Sequence, residues 1–235
     1  MKENYELIYA EKSRNNWWFA ARKELVRSLI RSKIRGRILD IGCGPGTSSP
    51  ASGSFAIDNS FFMCRHAKKE GMIVCAGDAQ KPGFKKNSMD AVLLLDVIEH
   101  IDGDKNVIMQ AYDILKPGGT AIVTVPAFDF LWGGEDELNE HKRRYSASGL
   151  RKLLESNGFE ISKISYWNSI LFLPTLIYKK MLNRQKSGKE SHHLNIIPDF
   201  LNGALLKLLR FENSLINHGI NLPFGVSIVA VARKP

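Results

Sequence analysis

The chain has 235 residues, of which 44% are hydrophobic and 24% charged, and its formal net charge is +9. These proportions exclude a wholly disordered chain, and the length is sufficient to bury one substantial core. The basic balance is compatible with an anionic substrate, a nucleic acid, an acidic membrane surface or a solvated basic exterior, and the charge alone does not choose among them.

The N-terminal part of the chain predicts one amphipathic helix followed by five strands. In the helix, residues 14–33, apolar side chains recur at helical spacing among basic residues. Short apolar runs that end in acidic or glycine-rich turns predict strands at 37–41, 54–57, 72–75, 91–95 and 120–125. A helix over 104–115, closed by Lys116-Pro117-Gly118-Gly119, separates the last two strands. This alternation predicts a parallel sheet with helices on both faces.

The C-terminal part predicts a helix, two strands and an insertion. The helix, residues 146–157, begins at a serine cap and ends at Gly158, which can adopt the left-handed conformation. Residues 159–166 and 225–233 alternate as strands. The insertion between them contains a predicted helix from Pro198 to Gly219 and a basic polar stretch, 183–191, predicted as a mobile loop. The prediction is one domain with four parts: a helical cap (1–35), a core (36–166), a helical insertion (167–224) and a last strand (225–235).

The cysteines and the apolar segments of the sequence indicate the cellular compartment and whether a metal site is expected. The three cysteines are an odd number without C-x-x-C spacing, which argues against a disulfide framework and a zinc site, so no metal is expected. The first residues have no apolar signal core, and the longest apolar stretch, 170–178, is interrupted by Pro174 and Thr175. It is far shorter than the roughly 20 residues that span a bilayer. We therefore expect a cytoplasmic protein.

The first strand runs directly into three glycines at alternate positions, Gly42, Gly44 and Gly46, and carries Asp40. Glycines let backbone N–H groups approach a ligand closely, and the ligand crevice of an open parallel sheet lies beyond the carboxyl ends of its strands. A dinucleotide fingerprint would require a glycine where Thr47 stands. The G-x-G-x-G spacing instead resembles the first motif of class I S-adenosylmethionine-dependent methyltransferases. That resemblance implies a doubly wound α/β fold with a seven-stranded sheet, an antiparallel last strand and S-adenosylmethionine as cofactor.

Four later segments match the same family in order. The resemblance implies that Asp58 accepts hydrogen bonds from both ribose hydroxyls of the cofactor. It also implies that Asp78 and the N–H of Ala79 contact the adenine, and that the segment from Asp96 to His100 lies beneath the methionine end. The turn at 116–119 is the fourth match. The predicted cofactor-binding residues are Asp40, Gly42, Cys43, Gly44, Gly46, Asp58, Asn59, Asp78, Ala79, Asp96 and Val97. The segment 47–54 is short at the position where the family has a full helix, so that helix is expected to be truncated or missing.

The residues after the fifth strand predict the acceptor pocket, because in this family the loops after strands four and five border the methyl donor. Aromatic walls with a few convergent polar groups are typical of small-ligand sites. The predicted substrate-binding residues are Trp132, Arg143, Arg144, Tyr145 and, from the N-terminal helix, Trp18. A hydroxyl acceptor must lose its proton, and His141 and then His100 are the predicted catalytic residues. The alternatives are a helix-capping role for His100, solvated arginines and core packing for at least one of Trp17 and Trp18.

The pattern of Trp17-Trp18-Phe19, the His-x-x-Arg-Tyr motif at 141–145 and the segment 222–227 resembles a subgroup of type 11 methyltransferases over nearly the whole chain. We predict a methyltransferase acting on a small-molecule or glycan- or lipid-linked acceptor, at oxygen. An RNA-directed methyltransferase and a noncatalytic cofactor-binding protein are the alternatives. Nucleic acid is disfavoured because no Asp/Asn-Pro-Pro-Tyr run follows strand four. A substrate lid, a homodimer face and a peripheral membrane anchor remain open for the insertion, and Arg22 is expected to close over the site with the tryptophans.

Overall fold

The computed structural model describes residues 3–31, 36–49, 53–182 and 199–235. Its strands form one seven-stranded sheet of order β3-β2-β1-β4-β5-β7-β6. They are β1 (Ile38–Ile41), β2 (Phe55–Asp58), β3 (Ile73–Ala76), β4 (Met89–Leu95), β5 (Leu115–Pro126), β6 (Glu160–Trp167) and β7 (Ser227–Arg233). The neighbours among β1 to β5 are parallel, and β7 runs antiparallel to both β5 and β6. The predicted fold class, including the antiparallel last strand, is therefore confirmed.

Helices cover both faces of the sheet. They are α1 (Glu3–Asn15), α2 (Trp17–Arg31), α3 (Phe61–Lys69), α4 (Asp104–Ile114), α5 (Gly134–Leu138), α6 (Ala147–Glu155), α7 (Phe172–Leu182) and α8 (Asp199–Asn217), with 3₁₀ turns at Ile98–His100 and Asp129–Leu131. No helix in these described parts is both long and apolar enough to cross a membrane.

The two faces of the sheet belong to two different apolar clusters. On β4, Val92 and Leu94 join the cluster that includes α4 and α6, whereas the alternating residue Leu93 joins the cluster that includes α2 and α8. Successive side chains of a strand point to opposite faces, so a strand covered on both sides must be apolar throughout. The insertion helix α8 is thus part of the main core, where Leu209 and Ile216 are fully buried.

The N-terminal helix prediction was wrong in one respect: two helices meet at Asn16 instead of one helix running through 14–33. The Asn16 side-chain oxygen accepts a hydrogen bond from the N–H of Trp18 at 2.8 Å, as a helix N-cap does, and it thereby starts α2. The prediction also missed α3, α5 and α7. Ser60 was the available signal for α3, because its hydroxyl caps the helix by accepting from the N–H of Met63.

The predicted turn at 116–119 lies inside β5 as an irregularity. The pairing of β4 with β5 moves from Met89 opposite Leu115 directly to Ala91 opposite Thr120, so these residues bulge out of the ladder. Their backbone can do this because Gly118 adopts a φ of +78°. The bulge is held to β4 by Lys116, whose amine donates to the Asp90 carboxylate at 2.8 Å.

The C-terminal boundaries agree with the prediction where the structure describes them. The Ser146 hydroxyl accepts from the N–H of Gly149 at 3.0 Å and caps α6, and Gly158 has a φ of +90°. Helix α8 ends at Asn217, two residues before Gly219. Pro198 and the predicted loop at 183–191 lie outside the described residues. Turns, and no helix, occupy the described part of 47–54, as expected.

Candidate active site

A cavity of about 570 Å³ opens at the carboxyl ends of β1, β2, β3 and β4. All of the predicted cofactor-binding residues except Gly46 line it: Asp40, Gly42, Cys43, Gly44, Asp58, Asn59, Asp78, Ala79, Asp96 and Val97. They come from four consecutive strand ends, which a parallel sheet brings to one edge. The cavity volume lies in the range typical of sites for small organic ligands.

The three loop glycines all have left-handed backbone conformations, for different reasons. A Cβ on Gly42 would lie 2.6 Å from the Val97 side chain, and one on Gly46 would lie 2.9 Å from the Ala67 Cα in α3. Gly44 has open space where its Cβ would be. Gly46 therefore serves the packing of the loop on α3, whereas Gly44 faces the cavity.

The Asp58 carboxylate joins the end of β2 to the glycine loop. It accepts hydrogen bonds from the N–H of Gly44 at 2.8 Å and from the N–H of Ser60 at 2.9 Å. Burial raises the pKa of Asp58, while these N–H donors act in the opposite direction. A carboxylate has about four lone-pair sites, so two hydrogen bonds leave capacity for a diol.

The segment after β3 forms another part of the cavity wall. There, Asp78 accepts from the N–H of Gln80 at 2.8 Å, and Asp78, Ala79 and Gln80 line the cavity wall together with Ile101 and Asp102. The cavity thus runs from Asp78 past Asp58 to the glycine loop and Asp96, with a carboxylate at each stage.

Helix α2 brings a buried arginine to the floor of the cavity. Arg22 donates hydrogen bonds to the Asp96 carboxylate and, at 2.6 Å, to the Ser48 hydroxyl. Its guanidinium lies 4.3 Å from the ring centroid of Trp18, a cation–π distance. Arg22 thus lines the floor of the cavity beside Asp96, which itself has a φ of +56°. Its closure over the site together with the tryptophans stays a prediction.

Asp40 is almost fully buried, and its Oδ1 has no hydrogen-bond partner among the described residues. Burial raises the pKa of Asp40 to about 7, although the positive charge of Arg22 opposes the shift. At neutral pH this carboxyl group is therefore divided between its neutral and charged forms.

Two histidines meet at the edge of the cavity. The Nδ1 of His100 lies 2.8 Å from the carbonyl oxygen of Asn139, and the Nδ1 of His141 lies 2.9 Å from Oδ1 of Asp136. Carbonyl and ionised carboxylate oxygens only accept, so each Nδ1 carries a hydrogen, and in the neutral form of either ring it is Nε2 that carries the lone pair. Burial, together with His141, lowers the pKa of His100 to about 4, which keeps that ring neutral at physiological pH.

A main-chain contact brings the two histidines together. The N–H of Lys142 donates to the carbonyl oxygen of Glu99 at 2.7 Å, and the rings of His100 and His141 pack edge to face with centroids 4.6 Å apart. His100 lines the cavity beside Asp96 and Val97. His100 is therefore on the cavity wall near Asp96, whereas His141 does not line the cavity and packs against His100.

Comparison with known families agrees with this geometry. A family model described as a methyltransferase domain matches residues 11–164, more than half of the chain. The chain belongs to this methyltransferase domain family. The resemblance to class I S-adenosylmethionine-dependent methyltransferases is thus confirmed, and S-adenosylmethionine is the cofactor of the family.

Individual relatives of this methyltransferase domain are distant. A probable S-adenosylmethionine-dependent methyltransferase from Mycolicibacterium smegmatis is 28% identical over 156 residues, which cover 62% of this chain and 60% of the relative. A demethylmenaquinone methyltransferase from Streptomyces avermitilis is 28% identical over 109 residues, 43% of this chain and 47% of the relative. The chain therefore spans less than two thirds of the length of both. The crystal structure of a methyltransferase from Thermotoga maritima, 21% identical, shares the fold with a TM-score of 0.64, over 99% of this chain and 95% of that one.

The structure does not place the predicted substrate-binding residues of the methyltransferase domain on the cavity wall. Arg144 is buried and occupied: its Nε and Nη2 donate to Asp136 at 2.7 and 3.0 Å, and its Nη1 donates to Ala127. Although burial opposes it, hydrogen bonds from His141 and Arg144 hold the pKa of Asp136 well below its usual range. Arg144 thus positions Asp136, which in turn positions His141, and it is not free to clamp an acceptor.

Tyr145 is likewise a buried structural residue. Its hydroxyl donates to Asp104 at the start of α4 at 2.9 Å, and burial raises the pKa of Tyr145 well above its usual range. Arg143 pairs with the same Asp104 carboxylate at 2.9 Å and is partly exposed. Trp18 packs against Trp167 with ring centroids 5.7 Å apart, and neither it nor Trp132 lines the cavity.

Sequence reasoning missed several residues that line the cavity of the methyltransferase domain. They are Glu6, Tyr9 and Phe19 from the N-terminal helices and Asn139, Glu140 and Lys142 from the segment after α5. Glu6 and Tyr9 were missed because α1 was not predicted, whereas Phe19 lies in the predicted helix but was not singled out for the cavity. The second group lies in the segment after the fifth strand that was predicted to form the acceptor pocket, although these residues were not singled out. In the structure, Glu140 has a φ of +58°. An L-residue in that conformation is uncommon and often marks a functional loop.

Proposed function

We propose that this methyltransferase domain transfers the methyl group of S-adenosylmethionine to a hydroxyl oxygen of a small-molecule or glycan- or lipid-linked acceptor. The observation that carries the proposal is the pair of His100, on the cavity wall near Asp96, and His141, which packs against it. Both Nδ1 atoms are engaged with oxygen acceptors, so the Nε2 lone pairs of His100 and His141 are directed elsewhere. A fixed imidazole lone pair is the usual means of taking a proton from a hydroxyl.

The strand-end residues then bind the cofactor in order along the cavity. Asp58 accepts the ribose hydroxyls, Asp78 and the N–H of Ala79 meet the adenine, and the glycine loop with Asp96 holds the methionine part. The support for this order is their arrangement around one cavity of suitable volume. Arg22 balances the charge of Asp96 and Asp40 beneath the cofactor.

The proposed reaction is an in-line displacement. The acceptor oxygen forms a bond to the methyl carbon while the carbon–sulfur bond breaks, and its electrons return to sulfur to give neutral S-adenosylhomocysteine. The acceptor proton passes to an Nε2 lone pair. Because the sulfonium already carries its leaving group, much of the rate enhancement comes from positioning.

A small-molecule acceptor is also supported by the name of the demethylmenaquinone methyltransferase relative.

The test is calorimetric titration with S-adenosylmethionine and S-adenosylhomocysteine, followed by an acceptor screen with S-adenosylmethionine that carries a CD₃ group. We expect cofactor binding, and mass spectrometry should find the CD₃ label on oxygen of a hydroxylated acceptor. His141→Gln should keep the cofactor affinity and lose turnover, whereas His218→Gln, which alters an exposed residue, should change neither. Label on RNA, or cofactor binding without transfer to any acceptor, would contradict the proposal.

A further inference from the structure

Glu99, His100 and His141 form a compact group of potential metal ligands. Each side chain offers one ligating atom, and these atoms all lie within 4.8 Å of one another. Within the described parts of the chain, this is the one group of three or more histidine, cysteine or acidic side chains so arranged. The cysteine pattern that argued against a zinc site does not bear on it, because the group contains no cysteine.

Glu99 is the member that points to a missing ligand. Its side chain is fully buried, and neither carboxylate oxygen has a hydrogen-bond partner among the described residues. A buried carboxylate without a partner is costly, so native proteins rarely leave one without a compensating group.

The nearby arginines do not supply that group. Arg22 directs Nη1 and Nη2 to Asp96 and Ser48, and the three guanidinium nitrogens of Arg144 donate to Asp136 and Ala127. Both arginines are close enough to act on Glu99 through their charge, but neither donates a hydrogen bond to it.

The two histidines are oriented as metal-ligating histidines usually are. Such a histidine donates one ring N–H to a carbonyl or carboxylate oxygen, which fixes the tautomer and leaves the other nitrogen to the metal. His100 does so with the carbonyl of Asn139, and His141 does so with Asp136. Asp136 is in turn held by Arg144 at 2.7 Å, so the orientation of His141 is supported through two successive layers.

We propose that Glu99, His100 and His141 bind a divalent first-row transition-metal cation such as Co²⁺, Mn²⁺, Fe²⁺ or Zn²⁺. Two imidazole nitrogens and one carboxylate favour such ions over Mg²⁺ and Ca²⁺, which prefer oxygen ligands alone. Ligands about 2.0–2.2 Å from a common ion lie roughly 3 Å apart, so the three side chains close inwards by small rotations when the cation binds.

The role of the cation rests on the function proposed above. Three protein ligands leave open coordination positions, and His100 lies on the cavity wall beside Asp96. A cation held there would lower the pKa of an acceptor hydroxyl at an open position, so that the hydroxyl would lose its proton to water at a lower pH than in solution. With the cation bound, the two Nε2 atoms are ligands, and the cation takes over the activation that they perform directly in its absence.

The test is titration of chelator-treated, tag-free protein with Co²⁺ alone, without cofactor or acceptor, followed by calorimetry and by the visible absorption of the bound ion. We expect one equivalent to bind, with nitrogen-ligand absorption bands. Glu99→Gln and His141→Gln should weaken binding at least about tenfold, since even the loss of a supporting group costs that much. Glu137→Gln, which alters an exposed acid on α5, is the matched control and should bind as wild type.

Equal Co²⁺ affinity in wild-type protein and folded Glu99→Gln, or no stoichiometric binding, would overturn the site. Circular dichroism and cofactor affinity check that the variants fold. Where a variant does not fold, modification of wild-type histidines by diethyl pyrocarbonate decides: Co²⁺ should protect His100 and His141 but not His218, and absence of this protection would also overturn the proposal. Because these readouts need no methyl transfer, they remain interpretable if the function proposed above fails.

Discussion

Arg22 of α2 donates a hydrogen bond to the carboxylate of Asp96, which stands 74 residues further along the chain at the end of β4. The arginine is buried between the Trp18 ring and the cavity, and Asp96 adopts a left-handed backbone conformation at this point. Helix α2 is therefore part of the cavity floor. Cofactor binding should depend on Arg22, which lies outside the strand-end motifs.

Replacing Arg22 by Gln should weaken both cofactor binding and folding. The change leaves Asp96 without its charged partner and removes the positive charge that acts on Asp40. Breaking a buried ion pair costs about 3–5 kcal/mol. Calorimetry and urea denaturation measure the two effects. Arg27→Gln on the same helix, at an exposed position, should alter neither, and equal behaviour of the two variants would contradict the assignment.

Asp58→Asn should reduce the affinity for S-adenosylhomocysteine by about 10- to 100-fold, because hydrogen bonds to a charged group contribute about 1.5–3 kcal/mol. A sharper comparison uses an analogue that lacks one ribose hydroxyl. Wild-type protein should lose affinity for this analogue, and the variant should lose much less. If the penalty for removing the hydroxyl were the same in both proteins, Asp58 would not bind the ribose. Asp113→Asn, on α4 and outside the cavity, is the control.

Alanine substitutions at Gly44 and Gly46 should have different effects on stability. At Gly46 a Cβ would meet α3 backbone, so Gly46→Ala should lower the free energy of unfolding by more than the roughly 1–3 kcal/mol expected of a left-handed non-glycine residue. At Gly44 there is open space, so Gly44→Ala should cost only that strain while placing a methyl group in the cofactor cavity. Denaturation and calorimetry together should therefore separate the two variants. Equal loss of stability would contradict the packing role of Gly46.

The stability of the cofactor-free protein should carry a pH-dependent contribution from Asp40. Its pKa is about 7 in the folded protein and 3.8 as the ordinary value, so the neutral form is favoured on folding. The stabilising contribution of the neutral carboxyl group is fully present below about pH 4 and is lost as the pH rises through 7. Asp40→Asn, which stays neutral, should be more stable than wild type at pH 8, by up to about 4 kcal/mol for a shift of about three units. The difference should shrink towards pH 4, and a difference independent of pH would contradict the shift.

The strand-end half of the cavity could be predicted from the amino-acid sequence alone. Each element there is encoded locally, as an apolar strand that ends in a glycine or an acid, and the topology of a parallel sheet brings such ends to one edge. Asp40, Asp58, Asp78 and Asp96 could therefore be predicted to lie together before any contact between them was known. The order of these segments carried the resemblance to the family, and that resemblance implied the seven-stranded sheet with its antiparallel last strand.

The other half of the cavity depends on contacts between distant segments, which the sequence pattern did not reveal. The His-x-x-Arg-Tyr motif predicted an acceptor pocket, but Arg144 and Tyr145 are bound to Asp136 and Asp104 and face the interior. Likewise, Glu99 and His141 become neighbours through one main-chain hydrogen bond between distant segments. A sequence motif specifies which groups a side chain can bind, whereas burial and long-range packing determine which partner it meets and therefore whether it remains available to a ligand.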